Sequence, residues 1–291
     1  MKPARFAYEA PTTLDGALKS LAAAGDGAKV IAGGQSLAPL LNMRLARPDR
    51  LIDINAVSEL GAIALDGDRL SIGALVRHDA LGRNDLVKQR CLLLAHAAET
   101  IGHYAIRKRG TIGGSLAHAD PAAQLPLVAL ALDAEMDIRS TRGSRMVAAR
   151  DFFLSVFSTA LDPDELLVRV KVPLPAAGEG FGFRLFNRRA GDFAIVSVAA
   201  TLARGSGNTI ARLRLAIGGI GPVPVRVENL AANEAGEAWS EHWSARVAAA
   251  VAGTVEIEEN ERAPVEFRKE LVAALTREAL DEALDKAGRG P

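Results

Sequence analysis

The chain contains a single cysteine, Cys91, in 291 residues. That excludes an internal disulfide, a thiolate zinc site and an iron–sulfur cluster ligated by this chain alone, and it suits a reducing compartment. No charge surplus exists either. Lys+Arg and Asp+Glu each number 35 and no basic block stands out, so nucleic acid is not an expected partner. Long apolar runs are also missing. The strongest, such as Leu125 to Leu132, are far too short to cross a bilayer, and Met1-Lys2-Pro3-Ala4-Arg5-Phe6 lacks the apolar region of a secretory signal. The expectation is a soluble cytoplasmic protein, not an integral membrane one. Of the five histidines, His96 and His103 are not one helical turn apart, so no metal site is read. There is no Gly-Lys-Ser/Thr of a P-loop and no G-x-G-x-x-G after a strand.

Two glycine pairs occupy similar settings: Ala32-Gly33-Gly34-Gln35-Ser36 and Thr111-Ile112-Gly113-Gly114-Ser115. Glycine permits positive φ and lets main-chain amides approach a phosphate with no Cβ in the way. One such segment fits any strand–helix turn; two together point to paired clamps on an extended anionic ligand, such as the diphosphate of a dinucleotide. Gly218-Gly219-Ile220-Gly221-Pro222 lies between β-like runs and reads as a hairpin loop. Arg107-Lys108-Arg109 reads as a solvated turn that can add charge beside the second clamp. Asp120 and Gln124 follow that clamp, with helix capping or contact to the same ligand as their two readings. Trp239 and Trp243, at i and i+4, read as helix packing. No spacing selects a nucleophile–base pair, so no catalytic residue is assigned and the chain reads as a cofactor holder.

Length suggests about two domains. Thr13 to Ala24 reads as a helix capped by Thr12 or Thr13. Lys29 to Ala32 and Leu51 to Ile54 read as strands around a helix from Pro39 to Arg44, a βαβ-like unit. A hairpin turns at Asp66-Gly67-Asp68. Helical patterns cover Asp79 to Ile101 and, opened by Asp120-Pro121, run through Leu132. Ala134 to Arg139 and Leu166 to Val172 are further strands, and Pro173 to Gly182 is the linker candidate. Beyond it, Gly182 to Leu185, Ala194 to Ala203 and Ile210 to Gly218 read as one antiparallel sheet. Helices follow over Val227 to Gly253 and Val265 to Ala287, giving a second α+β domain.

Four segments then occur in a telling order: Lys29-Val30-Ile31-Ala32-Gly33-Gly34-Gln35-Ser36-Leu37, Thr111 to Ser115, Ala117 to Pro126, and Arg189-Ala190-Gly191-Asp192-Phe193-Ala194. Together they resemble the FAD-binding medium subunit of the molybdenum hydroxylases, the family of xanthine dehydrogenase and aerobic carbon monoxide dehydrogenase. The match spans nearly the whole chain.

The resemblance implies an α+β protein: a vanillyl-alcohol-oxidase/p-cresol-methylhydroxylase-type FAD domain over 1–175, in two subdomains breaking near 57, then a smaller α+β domain over 176–291. It implies noncovalent FAD, its diphosphate held by Lys29 to Leu37 and by Gly110 to Ser115. Asp120 would lie near the flavin or its ribityl chain, Leu166 and Arg184 would line the isoalloxazine, and Phe193 would lie beside the ring. Ser115, Gln124, Arg184 and Phe193 depart from the commoner Asn or Asp, Glu, Lys and Tyr. The implied partners are a large subunit with molybdopterin cytosine dinucleotide and a small subunit with two [2Fe–2S] clusters, in a dimer of heterotrimers. That complex would be cytoplasmic, free or peripheral to the inner membrane. Electrons would pass to NAD or another acceptor. A stand-alone flavin oxidoreductase and a non-catalytic nucleotide-binding or assembly module are the alternatives.

Overall fold

Four sheets organise the computed structural model, which describes residues 2–240 and 242–287. The first part contains β1 (Ala7–Glu9), α1 (Leu14–Ala24), β2 (Ala28–Ile31), α2 (Leu37–Asn42) and β3 (Arg50–Asp53). Strand β3 is central and parallel to both neighbours, in the order β1-β3-β2. The expected βαβ unit is present, and Ile31 pairs with Asp53. The Thr13 hydroxyl accepts the Gly16 amide at 3.1 Å and starts α1, whose Ala17, Leu18 and Leu21 are buried against Ile52 and Ile54. Strand β1 has no apolar alternation and was not legible in the sequence.

The next stretch supplies β4 (Ile63–Asp66), β5 (Arg69–Gly73), α3 (His78–Arg83), α4 (Asp85–Arg90), α5 (Leu92–Glu99), α6 (Tyr104–Arg109), α7 (Ile112–His118) and α8 (Gln124–Ala131). It continues with β6 (Glu135–Ser140), β7 (Gly143–Ala148), α9 (Ala149–Phe152), β8 (Phe153–Ser155), β9 (Ser158–Thr159) and β10 (Leu166–Pro173). Five of these strands form an antiparallel sheet in the order β4-β5-β10-β6-β7, and β8 and β9 form a separate ribbon. The hairpin at Asp66-Gly67-Asp68 is as expected.

The single helix expected over Asp79 to Ile101 is three. Asn84 takes an extended conformation and its side chain accepts the Val87 amide at 3.1 Å, so it ends α3 and caps α4. Cys91, at φ −156°, separates α4 from α5. The helix expected from Asp120 begins at Gln124 instead, because the Asp120 carboxylate accepts the Ala122 amide at 2.9 Å and holds a local turn. Every residue of α8 is buried. It is apolar all round because it lies in the core shared by the five-stranded sheet and the sheet that follows.

The last part comprises β11 (Gly180–Phe186), β12 (Val196–Arg204), β13 (Ile210–Gly218), β14 (Val225–Arg226), α10 (Glu228–Asn233), α11 (Trp243–Thr254) and α12 (Val265–Lys286). The antiparallel order is β11-β12-β13-β14. Alternation divides its side chains between two cores. Val198, Ala200, Leu202, Leu215 and Ile217 meet α11 and α12, while Phe183, Ala199 and Ala216 join the core containing α8. Gly180 and Gly182 let α12 sit directly on β11; a Cβ on Gly182 would lie 2.8 Å from the Ala279 Cα.

The Gly218 to Pro222 segment joins β13 to β14, the hairpin expected. The helical reading of Val227 to Gly253 holds only for α10 and α11. Trp239 precedes α11, so it does not share a helix with Trp243, although both pack on the same core. The segment between β10 and β11 is tied down: buried Glu179 pairs with Arg212 at 2.8 Å and Arg214 at 3.3 Å. Arg214 also pairs with Asp133, after α8, at 2.9 Å, and Arg226 bonds the same carboxylate. These ion pairs join the last sheet to the preceding part of the chain. Cys91 is buried, and burial pushes its thiol pKa up to about 12.

Candidate functional site

Strand β2 runs directly into the first glycine segment. Lys29 is exposed, while Val30 to Leu37 are half-buried. Gly34 has φ +68°, a conformation that favours glycine. The Gln35 side-chain amide donates to the Gly33 carbonyl at 2.9 Å, and the Gly34 and Ser36 carbonyls accept the Ala38 and Leu40 amides. Among the described residues, the amides of Gly33, Gly34, Gln35 and Ser36 donate to no protein acceptor. Four consecutive N–H groups on half-buried residues are thus left without a protein acceptor, a donor set that suits an oxyanion.

The second segment is built differently. Thr111 caps α7 by accepting the Gly114 amide at 3.0 Å, so both glycines lie in a helical first turn rather than a loop. The Ile112 amide bonds the Val76 carbonyl at 3.0 Å and the Gly113 amide bonds Ala74 at 2.9 Å. The Gly110 and Ser115 amides bond Ile106 and Thr111 at 2.7 Å and 3.0 Å. Gly113 is needed because its α-carbon packs on Ala74, whose Cα would lie 2.8 Å from an added Cβ. The Thr111 amide has no acceptor among the described residues, although Thr111 itself is buried, and the Ser115 hydroxyl is half-buried.

The two segments touch. A Cβ on Gly33 would lie 2.7 Å from the Gly110 Cα and closer still to the Arg109 carbonyl oxygen. Side chains reinforce the contact. Asn55, just after β3, donates to the Ala32 carbonyl at 2.8 Å and to Asp53 Oδ1 at 2.6 Å. Its own oxygen accepts Arg77 Nη2 at 2.6 Å, and Arg77 Nη1 donates to the Arg109 carbonyl. Asp53 also accepts the Tyr8 hydroxyl at 2.7 Å and the Asn55 main-chain amide at 2.9 Å. Desolvation alone would raise the Asp53 pKa, but these bonds and the nearby Arg77 outweigh it and lower the value.

His78 lies under Gly110, where an added Cβ would stand 2.6 Å from the imidazole Cδ2. Its Nδ1 is buried without a protein partner among the described residues. Desolvation, then Arg77 and Arg107, holds its pKa down at about 4.

The remaining expected residues divide. Asp120 is buried at the turn before α8, and the adjoining Pro121 carbonyl accepts the Gly219 amide at 3.1 Å. Buried Arg268 holds the Gly219 carbonyl at 3.2 Å, so the Asp120 turn is supported from α12. Leu166 is core, packed among Leu18, Leu21 and Ile52. Arg184 is not turned toward the glycine segments. Its neighbours Phe183 and Leu185 face the α8 core, and the alternation sends Arg184 to α12, where it bonds Glu278 at 3.1 Å and Glu282. Phe193 is 51% exposed, with the Arg262 guanidinium 5.8 Å from its ring centre. Its loop reaches the first part of the chain at Gly191, where an added Cβ would lie 2.7 Å from His103 Cε1. Tyr8, Asn55 and Arg77 escaped the sequence reading because none lies in a glycine motif or a periodic apolar pattern.

Residues 4–175 match the family described as the FAD binding domain in molybdopterin dehydrogenase, and residues 181–283 match the CO dehydrogenase flavoprotein C-terminal domain. The 6-hydroxypseudooxynicotine dehydrogenase complex subunit alpha of Paenarthrobacter nicotinovorans is 38% identical, over 99% of this chain and 97% of that one. The carbon monoxide dehydrogenase medium chain of Hydrogenophaga pseudoflava is 34% identical, over 97% and 98%. Among solved structures, carbon monoxide dehydrogenase from Hydrogenophaga pseudoflava superposes with a TM-score of 0.95 at 34% identity, covering 99% of this chain and 100% of that one. Quinoline 2-oxidoreductase from Pseudomonas putida 86 gives 0.93 at 35% identity, covering 98% and 99%.

Proposed function

We propose, from the premise that this chain belongs to the FAD-binding medium subunits of the molybdenum hydroxylases, that it carries electrons from partner [2Fe–2S] clusters to NAD or another acceptor. The chain is an oxidoreductase subunit with a FAD-binding domain. FAD, when bound, supplies a carrier that takes up electrons singly and releases them as a pair. The protein's part is to hold that cofactor without a covalent bond, orient it and limit water access.

The observation that carries this reading is the run of amides from Gly33 to Ser36 without protein acceptors among the described residues, with Gly33 packed against Arg109–Gly110. They fit a diphosphate: four unpaired donors in a row, no Cβ at Gly33 and Gly34, and Arg77 and Arg109 nearby for charge. Lys29 to Leu37 would supply the main cradle. Gly110 to Ser115 would supply the second contact, with the half-buried Ser115 hydroxyl as its accessible donor. Asp120 would approach the flavin or its ribityl chain, with Leu166 and Phe193 toward the ring. Arg184 stays with its two carboxylates.

The partners in this reading are a molybdopterin cytosine dinucleotide large subunit and a [2Fe–2S] small subunit, assembled as a dimer of heterotrimers. The complex would be cytoplasmic or peripheral to the inner membrane. No helix among the described residues is long and apolar enough to cross a membrane.

The test is purification of the chain alone and with its partners. Flavin absorbance in the isolated chain, reduced by substrate only when both partners are present, is the expected result. A colourless chain that takes up no FAD, or one reduced by substrate unaided, would refute the assignment.

A further inference from the structure

We infer that Asn55 and Arg77 are positioning residues that aim the diphosphate cradle. The inference rests on the reading that the first glycine segment binds FAD. A trans peptide is planar, so its C=O and the following N–H point in opposite directions. Fixing one fixes the other. Asn55 holds the Ala32 carbonyl at 2.8 Å, which sets the Ala32–Gly33 plane and directs the Gly33 amide to the side opposite Asn55. Gln35 does the same one plane later by holding the Gly33 carbonyl at 2.9 Å, which sets the Gly34 amide.

Asn55 can do this because its own orientation is determined at every polar atom. Its nitrogen donates to Ala32 and to Asp53, and its oxygen accepts from Arg77. A flipped amide would set a nitrogen against Arg77 and an oxygen against two acceptors. Arg77 then carries the chain of bonds to the Arg109 carbonyl, the main-chain group that Gly33 packs upon. One guanidinium and one carboxamide thus link the carbonyls immediately before Gly33 and Gly110. Together they set both the aim of an amide and the spacing between the two segments.

An exposed polar pair on a surface normally contributes little. Here both ends of the pair are main-chain carbonyls of the cradle, and Arg77 is half-buried. Asn55 is exposed, so removing its side chain leaves the core intact.

The experiment titrates FAD into the flavin-free full-length chain for wild type, Asn55→Ala and Arg77→Lys, and records the visible circular dichroism of bound flavin at saturation and the urea midpoint. Loss of an aimed donor predicts FAD binding about tenfold weaker for Asn55→Ala. Lysine keeps the charge but cannot span Asn55 and Arg109, so Arg77→Lys should weaken binding about threefold or more. The saturated spectra and urea midpoints should match wild type. Wild-type affinity in Asn55→Ala, full affinity in Arg77→Lys, or losses accompanied by an altered ring spectrum or a lowered midpoint would overturn the inference. A wild-type chain that takes up no FAD would instead overturn the reading beneath it.

Discussion

Gly33 lies flat against the peptide of Arg109, with the Gly110 Cα 2.7 Å from where a Cβ would project and the Arg109 oxygen nearer still. The obstacle is main chain on both counts and cannot rotate aside. In Gly33→Ala the two segments must separate. Overpacking of this kind costs about 1–3 kcal/mol, and if that falls on the cradle, FAD affinity should drop roughly 5- to 150-fold. Titration followed by flavin absorbance tests this, and an unchanged dissociation constant would refute it.

The two glycine pairs should respond unequally. Gly34 has φ +68°, where any side chain is strained, and its free amide belongs to the donor array. Gly114 has ordinary helical geometry, and an added Cβ would meet only the Thr111 hydroxyl at 2.8 Å. Its replacement loses a helix cap worth about 1 kcal/mol. Gly34→Ala should therefore weaken FAD binding more than Gly114→Ala. Equal losses, or the reverse order, would contradict the division of labour between the segments.

Buried His78 gives a pH signature. Its pKa is about 4 in the folded chain against 6.5 ordinarily, so the unfolded chain takes up this proton first as the pH falls. Stability from keeping His78 neutral is complete above about pH 6.5 and is lost progressively toward pH 4, by on the order of 3 kcal/mol. Urea midpoints of His78→Gln should vary less with pH across that window than those of wild type. Parallel profiles would rule His78 out as the source.

Cys91 should be inert. With the thiol buried and its pKa raised to about 12, almost no thiolate exists near neutral pH. Mass spectrometry should find no alkylation by iodoacetamide in native buffer and one adduct after denaturation. Rapid native labelling would show that the packing around α5 opens.

Arg214 spans Asp133 at 2.9 Å and Glu179 at 3.3 Å. Arg214→Met strips a charge partner from buried Glu179, which keeps Arg212. The loss should be about 2 kcal/mol, below the usual range for a fully orphaned buried charge, and is read from urea unfolding. No change in midpoint would mean that Arg212 and Arg226 suffice.

The sequence patterns that were readable are those in which local chemistry and tertiary packing agree. Strand β2 leading into Gly33-Gly34, the Asp66-Gly67-Asp68 turn and the three long strands of the last sheet all fall in this class. Failures occurred where one side chain decided the backbone. Asn84 divided a continuous apolar pattern by capping a new helix, and the Asp120 carboxylate delayed α8 to Gln124. Thr111 turned an apparent loop into a helix start, so the second glycine pair serves packing more than donation. Asn55 and Arg77 were invisible for another reason. Their significance lies in the carbonyls they reach, and those contacts exist only once β3 and α3 are brought together.

The seat of α12 on β11 has a consequence for how the chain is made. The Phe183 amide bonds the Glu282 carboxylate, 99 positions later, and Gly180 and Gly182 receive the Ala283 and Ala279 backbone respectively. During vectorial synthesis β11 therefore leaves the ribosome long before its covering helix. Until α12 emerges, the sheet face bearing Val198, Ala200 and Leu202 lacks its principal cover, which leaves the nascent chain open to aggregation or chaperone capture during this interval.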